Sequence, residues 1–345
     1  MSKEKNIVVG FDVGGAHLKV VRAEGGRIVA AQTYATPLWQ GLSTLEKAFA
    51  ESVDICAGAA SAALTMTGEL ADVFSSRQDG VHGLLDIIER ETPVKKKRIY
   101  AVRSGLVEVA QARNLANDVA SANWHATASL VGRLAGDALF VDMGSTTTDL
   151  IPVRDGAVSG RGYSDAERLQ AGELVYTGFT RTFLMAVTDK APVAGRFTPL
   201  MNEYFASTAD VHRILGVLEE ADDKHATADG KEKTVAASTL RLARTIGYDA
   251  AGLPDAEWRT VAVWFSEEQL RSIHDAATLH EAALPGGAPV VAAGTGRWQI
   301  RRLAARLERP YVDLADLIPA DKSVRNEASN AAAATAVALL NDGRA

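Results

Sequence analysis

The chain has almost no cysteine. Cys56 is the single thiol in 345 residues, so an intramolecular disulfide and a thiolate metal cluster are both excluded. Its neighbours Ile55, Ala57 and Gly58 suit a buried apolar filler better than a nucleophile. The histidines are scattered: His212, His225, His274 and His280 lack the short spacing of a zinc site, and His125 reads as structural. No uninterrupted apolar run reaches about 18 residues, so no transmembrane helix is expected. The stretch Met1-Ser2-Lys3-Glu4-Lys5 carries no signal-peptide pattern, and a cytoplasmic location is expected. Positive charge is also in short supply. A net charge of −6 argues against a nucleic-acid or membrane-surface partner. The only basic run, Lys95-Lys96-Lys97-Arg98, reads as the solvated start of a strand.

What remains is ordinary globular material: 47% hydrophobic and 23% charged residues, in a chain long enough to predict two domains. Residues 6–34 read as three strands with glycine turns. Helical spacing follows at 41–54 and 80–90, with a strand at 62–67 between them and another at 98–102. Residues 106–120 and 124–134 look helical. A second hairpin then begins after Asp137, which points to an old internal duplication and an α/β fold with mixed sheets flanked by helices. Further on, 266–281, 300–307 and the alanine-rich 326–340 read as helices, and 289–293 as a buried strand. The charged stretch 221–233 reads as a lid or an exposed excursion.

Two hairpins carry unusually polar tips. Asp12-Val13-Gly14-Gly15 leads to Lys19 across the first, and Asp142-Met143-Gly144-Ser145-Thr146-Thr147 forms the second. The glycines are expected to adopt torsions that a β-carbon penalises, so that successive N–H groups face an anion. Lys19 supplies a point charge for a phosphate oxygen. Asp12 and Asp142 suit magnesium held through water. Gly294-Thr295-Gly296 follows a buried strand and opens a helix, where backbone donors and a dipole end suit an anion or nucleotide. Each alone could be a plain tight turn; three in this order point to phosphate chemistry.

Together, Asp12-x-Gly14-x-x-x-x-Lys19, Asp142-x-Gly144-x-Thr146 and Gly294-Thr295-Gly296 resemble the two phosphate motifs and the adenosine motif of the actin, sugar-kinase and heat-shock-chaperone ATPase superfamily. The resemblance implies two ribonuclease-H-like domains with a cleft between them. The expected division is 1–136, closed by a helix at 326–341, and 137–325, with a lid-like insertion around 180–285. Residues 142–149 are most similar to the hydantoinase and oxoprolinase group. The stretches 65–72, 122–128 and 172–178 resemble a branch of it tied to tetrahydromethanopterin-linked one-carbon metabolism and methanofuran synthesis.

That branch implies a transferase joining an aminomethylfuran-methyl diphosphate to the phenol of a glutamyl-tyramine or tyrosine-type acceptor, with release of pyrophosphate. Lys19, Asp12, Asp142 and the glycine-rich turns would stabilise the leaving group with magnesium. Arg77 would hold diphosphate, and Glu69, Asp72 or Glu173 would take the phenol proton or hold the aminomethyl group. Trp124 and Tyr176, with Asn123 beside Trp124, would contact the rings. The bland roles are core packing for Trp124 and helix capping for the carboxylates. His17 stands where the archaeal proteins are expected to carry Asn. ATP or ADP are optional ligands and a homodimer is the assembly allowed for. An ATP-dependent small-molecule kinase or amidohydrolase is the alternative reading, and an actin-like assembly protein ranks last.

Overall fold

The computed structural model describes residues 6–343. It divides into two compact units: residues up to Ala138 with Val153–Ser159 and those from Val312 on, and Leu139–Pro152 with Gly160–Tyr311.

The first unit is built on β1 (Ile7–Val13), β2 (His17–Glu24), β3 (Arg27–Ala35), β4 (Ser61–Met66), β5 (Lys97–Ala101) and β6 (Gly105–Glu108), in the order β3-β2-β1-β4-β5-β6. β1, β2 and β3 form an antiparallel meander, and β1 pairs with β4 in parallel, as β4 does with β5. Apart from Asp12 near its end, β1 is apolar because both its faces are covered. Val9, Phe11 and Val13 join Phe49, Leu64 and Leu85 in the main core. On the opposite face, a Cβ on Gly10 would lie 2.0 Å from the Ala334 carbonyl oxygen. The helix Ala332–Asp342 is alanine-rich for that reason, since only small side chains let helix and strand approach so closely. Alternation puts Asp12 on the same face as Gly10, at the C-terminal end of β1.

The second sheet repeats the plan. Its strands are β7 (Ala138–Met143), β8 (Thr148–Arg154), β9 (Ala157–Val158) and β10 (Leu174–Val175). After a separate hairpin of β11 (Lys190–Val193) and β12 (Arg196–Pro199) come β13 (Val290–Gly294) and β14 (Tyr311–Asp313). The order is β10-β8-β7-β13-β14, with β9 on β8 and β13 parallel to β7. A hairpin strand paired in parallel with a later strand thus recurs, which is the ribonuclease-H-like arrangement. The fold is α/β, two mixed sheets flanked by helices. Within the second unit, the helix Asp255–Thr278 serves two cores: Leu270, Ile273 and Ala277 pack on the sheet, and Trp258, Val261 and Phe265 pack around β11.

Several elements differ from the sequence expectation. Residues 106–120 are not one helix: Gly105–Glu108 is an edge strand on β5, followed by short helical turns, Val109–Ala112 to Ala116–Val119. Gly105, at φ +67°, turns the chain so that sheet pairing overrides the helical pattern. The helix expected at 266–281 begins at Asp255. The β11–β12 hairpin was hidden by Pro192 and Pro199, which suit only edge positions. The charged stretch 221–233 is exposed or half-buried except at Asp223, which pairs with Arg213, while Asp229 pairs with Arg241. Among the described residues, no helix is long and apolar enough to cross a membrane.

Candidate functional site

In the first unit the site grows from the β1–β2 tip. The Gly14 N–H donates to the His17 carbonyl at 3.0 Å, and a Cβ on Gly14 would stand 2.9 Å from that oxygen. Space, not torsion, demands this glycine. Pairing places Asp12 opposite Lys19, with Lys19 Nζ 3.7 Å from Asp12 Oδ2. Burial pushes the Asp12 carboxyl above its ordinary value, and Lys19 opposes that shift. Asp12 Oδ1 is buried with no hydrogen-bond partner, and so is the hydroxyl of Thr65, directly opposite Asp12 on β4. Two orphaned oxygens on adjoining strand ends are costly unless a ligand or a hydrated cation satisfies them.

Thr67 and Gly68, just beyond β4, both donate their N–H groups to the Val13 carbonyl, at 2.9 and 3.0 Å. In the second unit the Gly296 N–H makes the matching bond to the Met143 carbonyl at 2.9 Å. Thr67-Gly68 is therefore the first-unit counterpart of Thr295-Gly296, a site element that the sequence expectation omitted. The signal was the shared Thr-Gly after a buried strand.

The β7–β8 tip is closed by a bond from the Gly144 N–H to the Thr147 carbonyl at 3.0 Å, with the Ser145 and Thr146 hydroxyls 3.3 Å apart. Gly144 does not take a positive φ, contrary to the sequence expectation. A Cβ there would meet only Thr147 O at 3.8 Å, and one on Gly15 only Gly68 Cα at 4.0 Å, so both tips are open to close approach. The unusual torsion sits instead at Gly294, φ +81°. A Cβ on Gly294 would fall 2.4 Å from Asp142 Oδ1 and 2.3 Å from Met143 O. The neighbouring Thr295 hydroxyl is buried without a partner. Behind the tip, Phe179 and Arg181 donate N–H bonds to the Gly144 and Ser145 carbonyls, both at 2.9 Å.

The other expected residues fall in several places. Glu69 is buried and accepts the Ser121 hydroxyl at 2.6 Å; Arg77 lies 3.7 Å from Glu69 and donates to Ser121 at 3.1 Å. Arg77 thus already faces a carboxylate. Asp72 is exposed in the turn after Glu69. Neither carboxylate caps the following helix, Arg77–Glu91, whose cap is Ser76. Glu173 is fully buried, one oxygen accepting the Arg161 N–H and the other the Gly162 N–H at 3.0 Å. It holds the 160–162 loop. Asn123 opens the helix Asn123–Ala135, and Trp124 is buried in it, edge-on to His125. Tyr176 is 70% exposed.

Among the described residues no group of three or more His, Cys, Asp or Glu side chains could hold a metal ion. A cation here would rest on one carboxylate at a time, with water and phosphate oxygens completing its shell. Magnesium tolerates such a donor set, and the orphaned Asp12 oxygen fits it.

Residues 59–316 match the hydantoinase/oxoprolinase family. A protein of Methanocaldococcus jannaschii named (4-{4-[2-(gamma-L-glutamylamino)ethyl]phenoxymethyl}furan-2-yl)methanamine synthase is 34% identical over 259 residues, 73% of this chain and 75% of that protein. A protein of the same name from Methanococcus vannielii is 35% identical over 127 residues, 37% of this chain and 57% of that protein. Among solved structures, nucleotide-free acetone carboxylase, described in work on ATP-dependent acetone carboxylation, gives a TM-score of 0.51 at 12% identity. The match covers 97% of this chain and 70% of that one, a likeness of fold.

Proposed function

The chain belongs to the hydantoinase/oxoprolinase family, and on that premise we propose that it is a transferase of methanofuran-type cofactor synthesis. It joins an aminomethylfuran-methyl diphosphate to the phenol of a glutamyl-tyramine or tyrosine-type acceptor and releases pyrophosphate. The observation that carries this reading is the 34% identity to the M. jannaschii synthase across three quarters of that protein. The relative's name describes a phenoxymethylfuran, an aryl ether. Its formation from a phenol requires the furan-bearing carbon to lose a leaving group. The phenol oxygen bonds to that carbon, the carbon–oxygen bond to diphosphate breaks, and pyrophosphate departs with the electron pair.

This chemistry asks the protein for anion stabilisation, and both hairpin tips suit it. At the first tip Lys19 would neutralise anion charge and the open side of Gly15 would admit a phosphate oxygen; at the second, the open side of Gly144 would do the same. Asp12 and Asp142, each on its own hairpin, would hold magnesium, whose charge favours departure of the diphosphate. Thr65 and Thr295 offer hydroxyls without internal partners. Of the carboxylates, Glu173 is occupied by main-chain donors and the buried Glu69 by Ser121 and Arg77, which leaves the exposed Asp72 to receive the phenol proton.

The deciding experiment supplies the purified protein with magnesium, the furfuryl-type diphosphate and a glutamyl-tyramine acceptor. Pyrophosphate and aryl ether should appear in equal amounts without nucleotide. Consumption of ATP, with no pyrophosphate from the diphosphate substrate, would instead establish the kinase or amidohydrolase alternative. Asp142→Ala should abolish turnover with little loss of folding; near-normal turnover would refute the role given to Asp142.

A further inference from the structure

A cavity of about 520 Å³ opens within the second unit, lined in part by Thr146, Tyr176, Thr180, Arg181, Phe183 and Tyr204. Volumes of this size suit a small organic ligand. Three large aromatics stand exposed there: Tyr176 at 70%, Phe183 at 42% and Tyr204 at 41%. Phe183 and Tyr204 lie against each other with centroids 4.1 Å apart. Exposed aromatic faces gathered in a concavity are what a flat ring would cover.

Polar and charged groups line two walls of this cavity, and they differ in whether they are already paired. Arg181 donates to the Thr146 hydroxyl at 3.3 Å, which sets its guanidinium at the second hairpin tip. No carboxylate among the described residues forms an ion pair with it. Thr180 is 2% exposed, and its buried hydroxyl has no hydrogen-bond partner. The charges on the far wall are already matched: Arg213 pairs with Asp223, and Asp210 accepts from Arg241 at 2.9 Å and from Ser238 at 2.7 Å. An anion entering the cavity therefore meets its unmatched cation only beside Thr146.

The backbone that carries these groups is fixed on both sides. The Gly178 N–H donates to the Thr182 hydroxyl at 2.8 Å, the Thr208 N–H to the Thr182 carbonyl at 2.9 Å, and Phe183 bridges Ser207. A Cβ on Gly178 would fall 2.4 Å from Ser145 and Thr146, so the segment lies directly on the hairpin tip. The binding groups are pre-organised.

We infer that this cavity seats the aromatic ring of a diphosphate ester, with Arg181, Thr180 and Thr146 gripping the diphosphate and Phe183, Tyr204 and Tyr176 covering the ring. Arg181 and Phe183 are two residues apart, a reach of about 7 Å along the chain. That short reach fits a ring one carbon from the diphosphate better than a base held away by a ribose. The assignment rests on the transferase reading and deepens it, because it names the donor and not the acceptor as the occupant. It also gives Arg181 the anion-binding task that Arg77, paired with Glu69, is less free to perform.

The test measures binding of inorganic pyrophosphate, furan-2-ylmethyl diphosphate and ADP to the whole protein by calorimetry, with magnesium present. The furfuryl ester should bind tightest. Arg181→Met should weaken both it and pyrophosphate about tenfold or more. Phe183→Ala and Tyr204→Ala should weaken only the ester. Thr180→Val should raise thermal stability by removing an orphaned hydroxyl, yet weaken the ester. ADP binding more tightly than the ester, or aromatic variants that leave ester affinity intact, would overturn the inference. In turnover, the aromatic variants should raise KM for the diphosphate and leave that for the phenol; the reverse places the acceptor here and refutes the assignment. Ester binding with the expected variant pattern but no ether formation would defeat the transferase reading alone.

Discussion

His212 lies nearly flat on Phe179, with ring centroids 3.9 Å apart and an interplanar angle of 15°, and its Nδ1 is 2.7 Å from the Phe179 carbonyl. A carbonyl only accepts, so Nδ1 carries the proton, and the buried Nε2 has no partner. Phe179 in turn donates its N–H to the Gly144 carbonyl. A neutral imidazole on the helix Thr208–Leu215 thus supports the second hairpin tip.

That support is sensitive to acid. Burial pushes the His212 imidazole down to about 4 from its ordinary 6.5. Between these values the unfolded chain takes up a proton that the folded chain refuses, so stability is lost as pH falls. The contribution is complete above about pH 6.5, is lost progressively towards pH 4 and changes no further below it. Its size is about 3 kcal/mol. Chemical denaturation at pH 7.5 and 4.5 should give a smaller drop in His212→Phe than in the parent; equal drops would remove His212 as the cause.

Asp12→Asn should separate function from folding. Burial raises the Asp12 carboxyl, so its ionised form burdens the folded state at neutral pH. Neutralising it should raise the thermal midpoint and reduce kcat at least a hundredfold. A variant that loses both stability and activity would show that Asp12 is principally structural.

Gly144→Ala and Gly294→Ala should behave oppositely. A Cβ on Gly144 meets nothing closer than 3.8 Å, so the variant should keep its stability while filling the space that the proposed reaction gives to a phosphate oxygen. At Gly294 a Cβ collides with Asp142 and Met143 and the torsion is positive, so folding should weaken by about 3 kcal/mol or more. Melting curves beside pyrophosphate-release rates distinguish them.

Glu173→Ala should destabilise the second unit by about 2–4 kcal/mol, because the buried Gly162 N–H and the part-buried Arg161 N–H lose their acceptor. At a temperature where the variant remains folded, kcat should stay near normal. A collapse of kcat in folded protein would return Glu173 to the chemistry.

The polar hairpin tips were legible in the sequence because their signals are local: an apolar strand, an Asp-x-Gly and a run of hydroxyls. The duplicated order of strands and helices could be read for the same reason, since periodicity survives where identity does not. The details that depend on distant packing were not legible. Nothing near Gly144 tells that its torsion is ordinary, because the strained glycine, Gly294, reaches Asp142 from another strand. The burial of Glu173 under Arg161 and Gly162 depends on a loop more than ten residues away. Nothing local marks Arg181, because the hydroxyl its guanidinium reaches belongs to Thr146, 35 residues earlier. The prolines of the β11–β12 hairpin concealed a strand pair that only edge positions allow.

The close seating of Ala334 on Gly10 imposes a timetable on biosynthesis. β1 leaves the ribosome before the second unit, yet the helix that covers one of its faces is translated only after it. During that interval one side of the strand lacks its cover, while the Gly160–Tyr311 segment can fold before the first unit is complete. Completion of the first unit therefore waits for the second to be synthesised, and arrest of translation between that unit and the helix would leave one side of β1 exposed.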